Sequence, residues 1–357
     1  MLSTEPILSI CIPTWNRASC LRRLLQRVAP QVARAPAGSI EIFVRNNASP
    51  DHTEAVLAEF AAVIPCLRYT TTAVNEGFDV NCLEVVRQAR GTFCWLMGDD
   101  DAPADNGLQT VLADVAGGNG DLWIYDRVEC SPDFVPERVR HWSIVPDGTR
   151  VHGASVAEIR SYLGSCRNVG ALFNCLSCLV VRRSAWELPE VPDPFTHVYI
   201  HVFCCWQVLA RKGILTVRHA TPVHCRVIEE QVVRDTGVLN RLALDLNGYR
   251  LLAELAGRRY PELVRDVLAA FRRGRSLSNL LRAAVNANAE NRRAEFFRLL
   301  RGCGYSWLFL QLLRFPRLPL LLHPIWLAAL TPFRRIRNRR RLARTLGSRF
   351  NPASGAP

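Results

Sequence analysis

Three apolar runs of strand length, residues 7–13, 40–44 and 92–97, each end at polar side chains within the first hundred residues. A shorter strand pattern surrounds residues 67–69, and helical patterns separate the runs. In the first helical pattern, one apolar face is formed by Leu21, Leu24, Leu25 and Val28. Strands and helices that alternate at this spacing predict an α/β fold: a Rossmann-like, mostly parallel sheet with flanking helices.

The polar ends of these runs are residues 14–16, 45–51 and 99–101. Ligands of parallel α/β sheets bind outside the carboxyl ends of the strands, so we expect these segments on one rim. The last segment is three consecutive aspartates, which raise one another's pKa because like charges repel. A hard divalent cation such as Mn²⁺ or Mg²⁺, shared with substrate phosphates, would neutralise them. The alternative is a solvated acidic turn.

Four motifs in order resemble the family 2 glycosyltransferases of the GT-A fold: ICIPTWNR at 10–17, NNASPD at 46–51, NEGFDVN at 75–81 and GDDD at 98–101. The last two are similar to those of the abequosyltransferase-like branch, which adds deoxysugars to lipid-linked bacterial glycans. The resemblance covers about the first 125 residues. It implies a nucleotide-diphosphate sugar as the donor.

For the nucleotide, the resemblance implies that Pro13, Thr14 and Asn16 contact the nucleoside. Asn46 stands where the family commonly has an acidic residue that recognises the base. An amide can donate as well as accept a hydrogen bond, whereas a carboxylate only accepts, so uridine, cytidine and other bases stay open.

For the diphosphate, the resemblance implies that Asp99 and Asp101 ligate the cation, and Asp100 lies between them on the donor side. Asp79 begins a predicted helix near the same rim and is a further donor-binding candidate. N-terminal capping is the equally weighted alternative for Asp79 and its neighbour Asn81.

The family usually carries a Glu-Asp pair whose aspartate is the general base, and the matching position here is His201-Val202. An inverting transfer needs a base to accept the proton of the acceptor hydroxyl. His201 is the first candidate because neutral imidazole can accept a proton near pH 7. His197, one helical turn earlier, and Asp193 are the others. Two histidines that only pack and cap, or a helical metal pair, are the alternatives.

Beyond residue 126 the sequence predicts less regular structure, and we divide the chain by composition. Residues 1–126 form the nucleotide-sugar-binding half of the GT-A domain, and residues 127–230 form the acceptor-side half, with a hairpin or loop over 127–150. A helical appendage follows over 231–303. Residues 304–357 form an amphipathic, basic tail.

The formal net charge of +13 is concentrated in this tail, since residues 334–349 contain eight arginines and no acidic residue. We therefore exclude a nucleic-acid partner and predict that the tail contacts anionic lipids at the membrane interface. Packing of the tail on the core is the alternative. Thirteen cysteines without a recognisable secretory signal indicate reduced thiols in the cytoplasm. The C-x-x-C at 175–178 alone is weak evidence for zinc.

Together with these patterns, the resemblance implies an inverting, metal-dependent glycosyltransferase of cell-surface polysaccharide synthesis, O-antigen among them, which we expect to be peripheral on the inner face of the plasma membrane. Its partners would be a nucleotide-sugar donor and a saccharide acceptor, expected to be lipid-linked. Because the Glu-Asp pair is absent, a catalytically impaired nucleotide-sugar-binding or membrane scaffold protein of the same fold is the alternative. The sequence leaves the oligomeric state open.

Overall fold

The strands follow the order that the apolar runs predict. A computed structural model describes residues 5–191, 198–227 and 231–314, with the backbone alone for residues 231–236. The described strands are β1 Leu8–Thr14, β2 Ile40–Asn46, β3 Leu67–Thr71, β4 Phe93–Leu96, β5 Ala102–Pro103, β6 Leu122–Tyr125, β7 Arg127–Cys130, β8 Pro136–Arg140, β9 Arg150–His152, β10 Leu179–Arg182, β11 Ile214–Arg218 and β12 Val223–Arg226.

Eight of these strands form the main sheet, in the order β3-β2-β1-β4-β10-β6-β11-β9. The first four are parallel, with Leu8 opposite both Ile40 and Phe93. Strand β10 is antiparallel to its neighbours β4 and β6, while β6 and β11 are parallel to each other. The sheet is therefore mostly parallel, and the predicted fold class is confirmed.

Helices cover both faces of the sheet, and every residue of β1 and β2 is buried. The four apolar residues predicted on one face of the first helix are fully buried. The helices of the sheet region are α1 Ala18–Val32, α2 Thr53–Ala61, α3 Phe78–Arg87, α4 Gly107–Ala116, α5 Val156–Ser165 and α6 Ile200–Ala210.

A second sheet of four strands, in the order β5-β12-β7-β8, lies next to the end of β4. Strands β7 and β8 form an antiparallel hairpin within residues 127–150, one of the two forms expected for this segment. Strand β12 pairs with β5, which begins directly after the third aspartate, so residues near position 225 come close to the triplet. That hairpin's acceptor-side role stays a prediction.

The described C-terminal part is helical, as predicted for residues 231–303. Its helices are α7 Gln231–Arg259, interrupted at Gly237, α8 Val264–Arg273, α9 Leu277–Ala289, α10 Arg293–Gly302 and α11 Trp307–Arg314. Tyr199, just before α6, donates a hydrogen bond to Asp245 of α7 and packs its ring 5.2 Å from that of Tyr249. Within the described ranges, every helix is too short or too polar to cross a bilayer.

Two segments differ from the sequence pattern. The apolar run at 176–181 predicts a strand, but its first half is a 3₁₀ turn, Leu176–Cys178, and β10 begins only at Leu179. In this turn the Ser177 hydroxyl accepts a hydrogen bond from the Gly98 amide and donates one to Asp101. The apolar pattern of residues 196–212 predicts a helix, and in the described residues this helix runs from Ile200 to Ala210.

Candidate functional site

The site is built around the turn that follows β4. The Met97 backbone amide donates to the Cys11 carbonyl of β1 at 2.9 Å. The Asp101 amide then donates to the Gly98 carbonyl at 3.1 Å, and this hydrogen bond closes the turn. A Cβ atom on residue 98 would lie 3.1 Å from Asp100 Oδ1 and 3.5 Å from Asp101 Oδ2. Only the contact with Asp100 would be tight, so glycine at this position leaves room for the Asp100 carboxyl group.

Asp99 is held by groups from the first strand and the turn after it. Its Oδ2 accepts a hydrogen bond from the Thr14 hydroxyl at 2.8 Å, and its Oδ1 lies 3.2 Å from Arg17 Nη1. The same guanidinium nitrogen lies 2.8 Å from Asp100 Oδ2. Burial raises the pKa of Asp99 to about 6, although Arg17 acts in the opposite direction.

Asp101 is held by groups from two other parts of the chain. The Ser177 hydroxyl donates to Oδ2 at 2.6 Å, and the Arg226 amide of β12 donates to Oδ1 at 3.1 Å. Burial, followed by the charge of Asp100, raises the pKa of Asp101 to about 8. The carboxyl group thus has fixed hydrogen-bond donors but an incompletely compensated charge.

This donor set is suited to a hard divalent cation. Carboxylate oxygens are the ligands that Mg²⁺ and Mn²⁺ prefer, and a nearby cation favours the ionised form of a carboxyl group. The raised pKa values of Asp99 and Asp101 show that burial opposes their ionisation, even with Arg17 beside Asp99 and Asp100. A metal at this turn would supply the charge that the protein leaves uncompensated.

The residues predicted to contact the nucleoside lie on the same rim as the triplet. Pro13 and Thr14 end β1 and are buried, while Asn16 is exposed with φ at 56°. The backbone amide of Asn16 donates to the Ser49 hydroxyl at 2.8 Å, and this hydrogen bond joins the turns after β1 and β2. Because the Thr14 hydroxyl donates a hydrogen bond to Asp99, Thr14 helps to position that carboxylate.

Asn46 ends β2, and its side chain is fully engaged with its surroundings. Its Oδ1 accepts from the Ser49 amide at 3.2 Å, and its Nδ2 donates to Glu54 Oε2 at 3.0 Å and to the Thr71 hydroxyl at 3.3 Å. Glu54 is exposed in the first turn of α2. A carboxylate is therefore present at this corner of the rim even though residue 46 is an amide.

Asp79 and Asn81, for which N-terminal capping was the alternative, both hold backbone groups of other segments in place. Asp79 caps the start of α6 rather than its own helix, because it accepts from the amides of Val198 at 3.0 Å and Ile200 at 3.3 Å. Asn81 Nδ2 donates to the backbone carbonyls of Thr14 at 3.4 Å and Arg45 at 3.3 Å, and its Oδ1 accepts from Arg45 Nη1 at 2.9 Å. Donor binding by Asp79 stays a prediction.

His201 is buried in the first turn of α6. Its Nε2 lies 3.3 Å from the Asn174 carbonyl, and its ring meets that of Phe78 edge-on at 6.2 Å. Burial lowers the pKa of His201 to about 4, so the imidazole is neutral at pH 7 but weakly basic. Its role as a base stays a prediction. His197 and Asp193 lie outside the described residues.

Three residues of the site carried no assignment from sequence alone: Arg17, Ser177 and Arg226. Arg17 belongs to the first motif, and its position directly before α1 was the available signal. Ser177 and Arg226 reach Asp101 from 76 and 125 residues away along the chain. Such contacts depend on the strand order, and no local pattern marks them.

Comparison with known proteins gives a family and two relatives. The model described as "Glycosyl transferase family 2" matches residues 9–187. Abequosyltransferase RfbV of Salmonella typhimurium strain LT2 is 31% identical over 253 residues, which cover 69% of this chain and 74% of that protein. Glycosyltransferase AglE of Haloferax volcanii is 25% identical over 122 residues, 34% of this chain and 40% of that protein.

Two solved structures have a similar fold. S. aureus TarS 1-349, in complex with UDP-GlcNAc, aligns with a TM-score of 0.51 at 14% identity over 82% of this chain and 89% of that chain. Mannosyltransferase PcManGT from Pyrobaculum calidifontis, in complex with GDP-Man and Mn²⁺, aligns with a TM-score of 0.50 at 14% identity over 89% of this chain and 87% of that chain. At this identity the likeness shows the fold alone.

Proposed function

Since the chain belongs to glycosyl transferase family 2 and is a glycosyltransferase, we propose that it transfers a deoxyhexose from a nucleotide-diphosphate sugar, with inversion, to a lipid-linked saccharide. The product would be part of a bacterial cell-surface polysaccharide such as O-antigen. The abequosyltransferase relative, at 31% identity, supports the sugar class. The observation that carries the proposal is the buried aspartate turn, with Arg17 and Thr14 on one side and Ser177 on the other.

In this proposal Asp99 and Asp101 hold a divalent cation, Mn²⁺ or Mg²⁺, that also binds the donor diphosphate. When bound, the cation stabilises the negative charge that grows on the leaving nucleoside diphosphate. Thr14, Ser177 and the Arg226 amide fix the two carboxylates in place through hydrogen bonds of 2.6–3.1 Å. Prepositioned ligands of this kind need little rearrangement when donor and metal bind.

The acceptor half of the reaction needs a base for the attacking hydroxyl. His201 is one candidate. It is neutral at pH 7 and lies beside Asn174, three residues before the Ser177 that bonds Asp101. Its low pKa makes it a weak base at pH 7, so Asp193 and His197 remain in the proposal. If none of the three acts as a base, the scaffold alternative gains support.

Selection of the nucleotide base is proposed for the corner formed by Asn46, Glu54 and Thr71. Glu54 Oε2 accepts hydrogen bonds from both of the other side chains, at 3.0 Å and 2.5 Å. The exposed carboxylate can accept a hydrogen bond from the base, as an acidic residue at position 46 would. The bases that remain open are those of UDP-, CDP-, GDP- and dTDP-sugars.

Membrane contact is proposed for α11 and the arginine-rich tail beyond it. Trp307 and Leu308 are 68% and 74% exposed, while Leu310 and Leu313 on the other face are buried. An exposed aromatic and aliphatic face followed by clustered arginines is typical of segments that lie on anionic lipid. The rest of the tail, residues 315–357, lies outside the described residues. This contact would place the enzyme on the cytoplasmic face of the membrane, near a lipid-linked acceptor.

The test of the donor proposal is a thermal-shift screen of UDP-, CDP-, GDP- and dTDP-sugars, each with Mn²⁺ and with EDTA. We expect one nucleotide class to raise the melting temperature clearly with Mn²⁺ and much less with EDTA. Slow hydrolysis of the same donor, measured as released nucleoside diphosphate, would separate an enzyme from a scaffold that only binds. Equal shifts with Mn²⁺ and with EDTA would contradict the metal-bridged diphosphate.

A further inference from the structure

Three cysteine thiols meet directly behind the aspartate turn. Cys175 and Cys178 flank the 3₁₀ turn that contains Ser177, and Cys225 lies on β12 next to Arg226. The three Sγ atoms all lie within 4.8 Å of one another, and those of Cys175 and Cys178 are 3.1 Å apart. Cys178 and Cys225 are buried, and Cys175 is partly exposed.

The surroundings of the cluster favour a thiolate. Arg127 Nη1 donates to Cys175 Sγ at 3.2 Å. Thiolate is the form that binds metal, and the adjacent guanidinium offsets the negative charge of several thiolates brought together.

We propose that Cys175, Cys178 and Cys225 bind a soft divalent cation of the Zn²⁺ class. A C-x-x-C turn joined by a third cysteine from a neighbouring strand is the ligand arrangement of many zinc sites, and thiolates select Zn²⁺ over the Mg²⁺ and Mn²⁺ that carboxylates prefer. Water would complete the tetrahedron. This metal is separate from the cation proposed at Asp99 and Asp101, and binding it releases thiol protons without any redox step.

The cluster connects the two segments that hold Asp101. Ser177 is the neighbour of Cys178, and Arg226 is the neighbour of Cys225; these two residues donate to opposite oxygens of the Asp101 carboxylate. A metal bound to all three sulfurs would fix the 3₁₀ turn and β12 relative to each other. Its structural effect is therefore to keep the Asp101 carboxylate in one orientation.

The experiment measures metal in the full-length protein, purified from zinc-supplemented cells and passed through a chelating resin. We expect about one equivalent of tightly held zinc per chain. Cobalt exchanged into the zinc-free protein should give the intense near-ultraviolet thiolate-to-metal charge-transfer band. Cys225→Ser should lose the zinc and weaken the band, while Cys20→Ser, at a partly exposed thiol of α1 outside the cluster, should keep both.

Three results would overturn the proposal: wild-type protein that takes up neither zinc nor cobalt under reducing conditions, a cobalt band that is unchanged in Cys225→Ser, or a Cys175–Cys178 disulfide as the dominant state of the purified protein. The wild-type measurements stand even if the Cys225 variant does not fold. Donor binding is measured separately, so failure of the zinc site and failure of the proposed transferase function are distinguishable.

Discussion

Arg17, to which the sequence motifs assign no role, pairs with two aspartates of the triplet. Its Nη1 contacts both Asp99 and Asp100, at 3.2 Å and 2.8 Å, and it is the described residue that forms ion pairs with the triplet. Without it, three adjacent carboxylates would lie together in a partly buried turn. The guanidinium therefore offsets part of the negative charge of the turn when no metal is bound.

We expect Arg17→Gln to destabilise the metal-free protein by about 1–3 kcal/mol, because it leaves buried carboxylates without a charged partner. Mn²⁺ should restore more stability to this variant than to the wild type. Chemical denaturation with and without Mn²⁺ measures both effects. Arg22→Gln, which removes an exposed ion pair between Arg22 of α1 and Glu59 of α2, is the control and should change neither the stability nor the response to metal by much. Identical behaviour of the two variants would contradict this role.

At the scale of elements, the ends of β6, β8 and β11 meet in a buried polar network. Asp126 Oδ2 lies 2.6 Å from His141 Nδ1 and 2.8 Å from His219 Nδ1, and the other ring nitrogen of His219 lies 2.7 Å from the Val145 carbonyl. Because both ring nitrogens of His219 face acceptors, the network favours the imidazolium. Burial opposes the charge, but the hydrogen bonds to Val145 and Asp126 raise the pKa of His219 above its ordinary value.

A raised folded-state pKa means that His219 contributes stability fully at pH values below its unfolded pKa of about 6.5. That contribution is lost as pH rises through the higher folded pKa. We therefore expect the wild type to lose more unfolding free energy than His219→Gln between about pH 6 and pH 8. Denaturation curves at several pH values measure this difference, with His52→Gln at an exposed position as the control. A wild-type slope equal to that of His219→Gln would show that the network is not charged.

How far sequence determined these elements depends on the range of their contacts. The β1–β4 strands and α1 were predictable because their apolar periodicity is local, and the rim followed from the parallel order. The 3₁₀ turn at 176–178 was not, because Ser177 forms its decisive bonds with Gly98 and Asp101, up to 79 residues away. The same applies to Cys225, whose approach to the C-x-x-C depends on how β12 joins the second sheet.

At the scale of the whole molecule, a cluster of arginines follows an exposed apolar pair near the C-terminal end of the chain. Residues 334–349 carry eight arginines, and Trp307 and Leu308 on α11 are exposed. We expect the full chain to co-sediment with vesicles that contain anionic lipid and much less with zwitterionic vesicles. Trp307→Ser with Leu308→Ser should weaken this binding, and Val63→Ser, which changes an equally exposed residue beyond α2, should leave it unchanged. Equal binding by all three proteins would exclude α11 as part of the contact.

The central claim is that a divalent cation at Asp99 and Asp101 carries the donor diphosphate. The most direct test is the release of nucleoside diphosphate by Asp101→Asn, compared with Asp105→Asn at an exposed position nearby, with Mn²⁺ and the donor chosen by the thermal-shift screen. Asparagine keeps the shape and removes the charge, so Asp101→Asn should stay folded, lose its response to Mn²⁺ and slow by about 10²–10³-fold, whereas Asp105→Asn should match the wild type. A folded Asp101→Asn protein with wild-type activity and metal response would contradict the claim.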